Sequence, residues 1–150
     1  MGEAVSMIGI VVIAHGTLAG GLKSAVSLLA GEPEAFSTVE LHPGDAPEEF
    51  KARVEDAVQA VDSGDGVLVL VDIFGGTPSN TISQLIARGD RNIQAIAGAN
   101  LPMVIQATFM REQMPLSDLA GQVMQAGQEA LMDIGAILAQ AAERDDEEEF

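Results

Sequence analysis

Two short runs constrain this chain more than anything else in it. Residues 8–14, IGIVVIA, and 67–71, VLVLV, are apolar throughout and rich in β-branched side chains. A strand with one solvated face alternates apolar and polar residues, so an unbroken run has to be covered on both faces, as in the centre of a parallel sheet flanked by helices. Neither run approaches the roughly 20 apolar residues that a membrane-spanning helix needs. The segments between them have helical spacing. Leu18, Leu22, Ala25, Val26 and Leu29 define a helix from Thr17 to about Ala30, closed by Gly31 and Pro33. Pro47 suits the first turn of a second helix running to about Val61, with Phe50, Val54, Ala57, Val58 and Val61 on one face.

Between these helices FSTVELH, residues 36–42, alternates as a short strand near a sheet edge. VLVLVDIF, residues 67–74, reads as the strongest strand, and GGTPSN then offers a cap at Thr77 and a helix from Pro78 to about Arg88. A fourth strand is expected over 93–98 and helices over about 102–110 and 117–130. Residues 131–138 are ambiguous, since Gly135 and two isoleucines weaken a helix and leave room for an added strand. Four alternations of strand and helix predict one α/β domain over residues 1–142, doubly wound, with core strand order 2-1-3-4 and helices on both faces. The acidic stretch 143–150 is read as a solvated, frayed end.

Charge and cysteine content narrow the function. A formal charge of −16 opposes nucleic acid and anionic lipid, so neither is expected as a partner. With no cysteine, thiolate chemistry and disulfides are excluded, and a reducing, cytoplasmic setting is expected. Nothing near the start has a basic segment followed by a long apolar one, which predicts a protein without a leader.

The chemistry lies where ligands of such folds lie, at the carboxyl ends of strands in the crevice where the winding reverses, here between the first and third strands. His15 ends the first and Asp72 the third. An aspartate accepting from one imidazole nitrogen fixes the tautomer and leaves the other nitrogen as a nucleophile, with the carboxylate stabilising the cation formed on attack. A phosphoryl group arriving there needs donors and positioning. Gly75 and Gly76 let backbone amides approach, Thr77 brings a hydroxyl, and the helix starts after Gly16 and Gly76 direct partial positive charge at an anion. Neither loop carries lysine or arginine, which favours brief custody of a phosphoryl group over tight nucleotide binding.

Competing readings are weaker. His42, in LHPG, has no carboxylate or glycine-rich turn beside it in sequence and reads as a surface turn histidine. No metal site is expected, because His15, His42 and Asp72 match no recognised ligand spacing, and no cofactor is expected. Met103, Met110, Met114, Met124 and Met132 fall in helical apolar patterns and read as core. GTLAGGLKS, residues 16–24, nearly matches the nucleotide-binding loop G-x-x-x-x-G-K-[ST], but Leu22 intervenes before Lys23 and turns the lysine about 100° away around the helix.

IGIVVIAHGTLAGGLKSAVSLLAGE, PGDAPEEF, VLVLVDIFGGTPSN and IAGANLPM together resemble the mannose-type enzyme IIA domain of the bacterial phosphoenolpyruvate-dependent phosphotransferase system, over about residues 7–138. The resemblance implies a phosphoryl carrier. His15 would take the group from the histidine phosphocarrier protein HPr and pass it to an enzyme IIB domain, and so to a sugar entering through a membrane permease. Asp72 falls on the orienting aspartate and Thr77 on the hydroxyl residue that helps hold the phosphoryl group. The resemblance also implies a homodimer whose subunits exchange a C-terminal edge strand, which would account for residues 131–138. No IIB sequence follows within the chain, so the acceptor is expected elsewhere. A phosphorylation-state regulator is the alternative role, and a nucleotide hydrolase the alternative enzyme.

Overall fold

The computed structural model describes residues 7–148. Its elements run β1 (Gly9–His15), α1 (Leu18–Ala30), β2 (Phe36–Leu41), α2 (Pro47–Val61), β3 (Val67–Val71), α3 (Thr77–Arg88), β4 (Ile93–Ala97), α4 (Leu101–Met110), α5 (Leu116–Glu129) and α6 (Ile134–Glu148). The four strands form one parallel sheet in the order β2-β1-β3-β4, as the alternation predicts.

Both unbroken apolar runs are central strands, and every residue from Ile10 to Ala14 and from Val67 to Val71 is buried. The period of two divides them between two cores. Ile10, Val12, Ala14, Leu68 and Leu70 pack under Ala19, Leu22 and Val26 of α1, with α4 and α5 on the same side. Val11, Ile13, Val67, Val69 and Val71 face Phe50, Val54 and Val58 of α2 and Ile82 and Leu85 of α3. Each fully buried side chain of this size removes about 1.5–3 kcal/mol of apolar hydration cost, so the doubly covered strands fix the architecture.

Local signals set the helix ends. Pro47 opens α2 with Glu48 and Glu49 in its first turn, where negative charge meets the helix dipole. Asn100 caps α4, its side chain accepting from the Met103 N–H at 3.0 Å. Gly89 closes α3 in the left-handed conformation, φ 71°.

Three expectations change. Residues 131–138 form no edge strand: Asp133 accepts from the Ala136 N–H at 3.0 Å as a helix cap, and the alanine-rich run behind it carries α6 onward. For the same reason residues 143–148, expected as a frayed acidic end, continue α6, while 149 and 150 lie outside the described residues. Of the methionines, Met103 is buried and Met110 and Met114 are partly so, but Met124 and Met132 are exposed on the outer faces. Among the described residues no helix is long and apolar enough to cross a membrane.

Gly9 shows how closely β1 and α2 approach. A Cβ there would fall inside contact distance of the Val61 carbonyl and its Cγ2. Because the obstacle includes backbone, Gly9→Ala is expected to cost about 1–3 kcal/mol, read as a lower urea midpoint with an unchanged slope.

Candidate active site

β1 and β3 are paired neighbours that end at the same rim of the sheet. The Asp72 N–H bonds the Ile13 carbonyl at 3.3 Å, extending the ladder one step past β3 and carrying the carboxylate beside His15. Asp72 Oδ2 accepts the His15 backbone N–H at 2.9 Å and lies 2.9 Å from His15 Nδ1. Its Oδ1 accepts the Ile73 N–H at 2.9 Å. One carboxylate thus holds both the backbone and the ring of a residue 57 positions away.

The chemistry follows from donor and acceptor count. An ionised carboxylate only accepts, so Nδ1 carries the proton and Nε2 presents its lone pair. The Asp72 side chain is 12% exposed and that of His15 is 49%. The carboxylate is covered while the imidazole stays open. Burial raises the Asp72 carboxyl, but the His15 backbone N–H, the His15 ring and the Ile73 N–H together outweigh it and hold the group below its ordinary value.

The ring faces an open depression of about 600 Å³ lined by His15, Asp72, Ile73, Phe74, Gly75 and Gly76. Gly75, at φ 94°, needs the freedom of glycine for the turn. Gly76 needs the space, since a Cβ on it would sit 3.1 Å from His15 Cε1 and 3.5 Å from Nε2. It is also the N-cap of α3, and no side chain caps that helix start. Pro78 has no N–H and the Asn80 N–H bonds the Gly76 carbonyl at 2.9 Å, so Thr77 and Ser79 carry the first-turn N–H groups at this helix start.

The six expected site residues occupy different parts of this arrangement. His15, Asp72, Gly75 and Gly76 come together in the depression. Thr77, expected as the cap, is instead the first residue of α3 and is exposed, because extended Gly76 takes the cap position. Gly16 makes the turn after His15 at φ 59°, and its N–H is already engaged by the Leu41 carbonyl at 2.8 Å. His42, just past the end of β2, lies outside the depression, but contrary to expectation carboxylates accompany it: Glu40 Oε2 is 3.0 Å from its Nε2 and Asp45 accepts its backbone N–H at 2.9 Å. Lys23 pairs with Glu32 at 3.3 Å, beyond the far end of α1, so it reaches away from the loop a nucleotide phosphate would occupy. The strand expected over 67–74 is shorter in the structure. β3 ends at Val71, and Ile73 and Phe74 stand 57% and 83% exposed at the lip of the site. The Gly-Gly pair directly after Phe74 was the available signal that the strand had ended.

The Asp72 bonds make stability depend on pH. A carboxyl held below its unfolded value stabilises the fold fully above that value, about 3.9, and loses this contribution as pH falls through the lower folded value. Asp72→Asn is therefore expected to unfold at lower urea than the parent at pH 7, with the gap closing only under more acid conditions, in paired urea titrations from pH 7 to 2.5.

Comparison with known proteins bears on the family and the fold. The profile of the family described as PTS system fructose IIA component matches residues 9–124. The chain is 30% identical over 124 residues to the PTS system fructose-specific EIIA component of Bacillus subtilis, covering 83% of this chain and 84% of that protein. It is 30% identical over 130 residues to the PTS system mannose-specific EIIAB component of Escherichia coli K12, covering 86% of this chain but only 40% of that longer protein. Among solved structures, phosphotransferase system component EIIA from Streptococcus agalactiae superposes with a TM-score of 0.80 at 29% identity, covering 87% of this chain and 99% of that one. The mannose/sorbose specific IIA subunit from Enterococcus faecalis gives 0.73 at 26% identity, covering 85% and 94%. A doubly wound sheet with this matched core places the chain in the mannose, fructose and sorbose type of EIIA components, the phosphotransferase components of the PTS.

Proposed function

We propose that the protein is a phosphoryl carrier that accepts a phosphoryl group from phospho-HPr on His15 Nε2 and passes it to an enzyme IIB partner for sugar uptake. The observation that carries this reading is the Asp72 carboxylate 2.9 Å from Nδ1 of a half-exposed ring whose other nitrogen faces an open depression. The Nε2 lone pair attacks phosphorus in line. The donor P–N bond breaks and its electron pair returns to the donor ring, leaving the phosphoryl group on a His15 cation that Asp72 stabilises through Nδ1–H. Gly75, Gly76 and Thr77 cradle the phosphoryl oxygens through the α3 amides and the Thr77 hydroxyl, while Gly16 shapes the opposite loop. Transfer to the acceptor reverses the steps.

Donor and acceptor each have to bring a ring or side chain to Nε2, and exposed Ile73 and Phe74 supply apolar area for that encounter. A cytoplasmic homodimer is part of the proposal, supported by the outer edge of β4, unpaired among the described residues, and by exposed Leu131, which lines one cavity with Ile96 and Ala97 of β4, with exposed Ile134 and Leu138 following it. The relatives carry fructose, mannose and sorbose in their names, so the sugar class is left unspecified.

Incubation with phosphoenolpyruvate, enzyme I and HPr is expected to give one acid-labile phosphoryl adduct on the protein. His15→Ala abolishes it and His42→Ala leaves it, and mapping to any residue other than His15 refutes the assignment. Gly76→Ala folds, because φ there is −88°. The added methyl crowds Nε2, and adduct formation is expected to slow on the order of 10²-fold, the scale of an ångström misplacement in a reacting pair. Phe74→Ser is expected to raise the HPr concentration needed for half-maximal rate several-fold, with the saturating rate kept.

A further inference from the structure

The end of β2 carries a polar network that the site does not contain. Arg53, on α2, donates through Nη1 to the Glu40 carbonyl at 3.0 Å and through Nη2 to Asp45 Oδ2 at 2.8 Å. Its guanidinium lies 5.4 Å from the centroid of the buried Phe50 ring one turn earlier, which holds it in place. The same Asp45 oxygen accepts the His42 N–H at 2.9 Å, and the Asp45 N–H returns to the His42 carbonyl at 3.2 Å. The His42 N–H bond holds the Asp45 carboxyl below its ordinary value against desolvation, and Arg53 adds to the lowering.

Glu40 and His42 are thereby pinned on either side of Leu41. Leu41 is the register partner of His15, and its carbonyl takes the Gly16 N–H at 2.8 Å, the first amide after the nucleophile. His15 is consequently held from two sides, by Asp72 on its own N–H and ring and by Leu41 on the following peptide. The Leu41 anchor is only as fixed as the strand end that Arg53 clamps.

We propose that Arg53 is a positioning residue for His15, acting through the Glu40–Asp45 turn and the Leu41 carbonyl. The proposal rests on the phosphoryl-carrier reading for its rate consequence, though not for its structural one. Arg53 and Asp45 are 44% and 27% exposed, and pairs of this kind add little to overall stability. A change of rate without a change of stability is therefore the mark of a positioning role.

The test is rapid-quench phosphorylation by phospho-HPr over a range of donor concentrations, alongside urea unfolding and amide hydrogen exchange at Gly16. Arg53→Met keeps the stem against Phe50 and is expected to lower the saturating rate on the order of tenfold. The donor concentration at half-saturation and the urea midpoint stay near the parent values, and Gly16 exchange becomes faster. Asp45→Ala gives the same pattern, and decides the matter if the arginine variant does not fold. Arg53→Lys recovers part of the rate, since one ammonium group can replace one of the two bonds. His42→Ala keeps the N–H that Asp45 binds and stays within twofold of the parent. Parent-like rates and Gly16 exchange in both clamp variants, or a rate loss matched by loss of folded protein, overturn the proposal. If the parent accepts no phosphoryl group, the carrier reading fails, and Gly16 exchange still decides whether Arg53 fixes the loop.

Discussion

The site depends on one carboxylate that joins the ends of two strands. Asp72 takes the backbone N–H and ring of His15 with one oxygen and its own neighbour's N–H with the other. Each bond contributes modestly, but together they outweigh the cost of covering a charge and keep it ionised. The sheet makes this possible. β2 lies on one side of β1 and β3 on the other, so α1 leaves toward one face while α3 starts on the other, and the rim between β1 and β3 stays uncovered.

The parts legible in the sequence are those decided by burial. IGIVVIA and VLVLV have one stable environment, and once they are central strands the order of the remaining elements is nearly forced. That also brings His15 and Asp72 together, because register in a parallel pair follows from the strands rather than from the site residues. What periodicity does not carry is the partner of a polar group. The Arg53 clamp uses a side chain on α2 and a carbonyl on β2, and neither leaves a trace in apolar spacing. Thr77 lost the cap position to Gly76 for a related reason: cap preference concerns one residue, whereas the chain path after β3 sets where the helix begins. Residues 131–138 contain both β-branched side chains and helix formers, and there the Asp133 cap and the alanines behind it decide the outcome.

Charge bears on how firmly such a site holds its cargo. The chain carries a formal −16, yet the proposed transfer adds further negative charge at His15. Fields of exposed carboxylates fade over about 8 Å at physiological ionic strength, so the local donors decide. Neither residues 15–21 nor residues 72–80, the two loops with the first turns of the helices that follow, contain lysine or arginine. What remains is the uncapped start of α3, whose amides and dipole contribute about 0.3–2 kcal/mol toward an anion. A fixed cation in the same place would bind the phosphoryl oxygens through charge-assisted bonds roughly twice as strong as neutral ones. It would stabilise the loaded histidine as much as the transition state, and so slow departure of the group. A carrier between two proteins gains rate only from contacts stronger in transfer than at rest. In the proposed carrier, helix-start N–H groups for the oxygens and a carboxylate for the imidazolium would meet that condition without trapping the group.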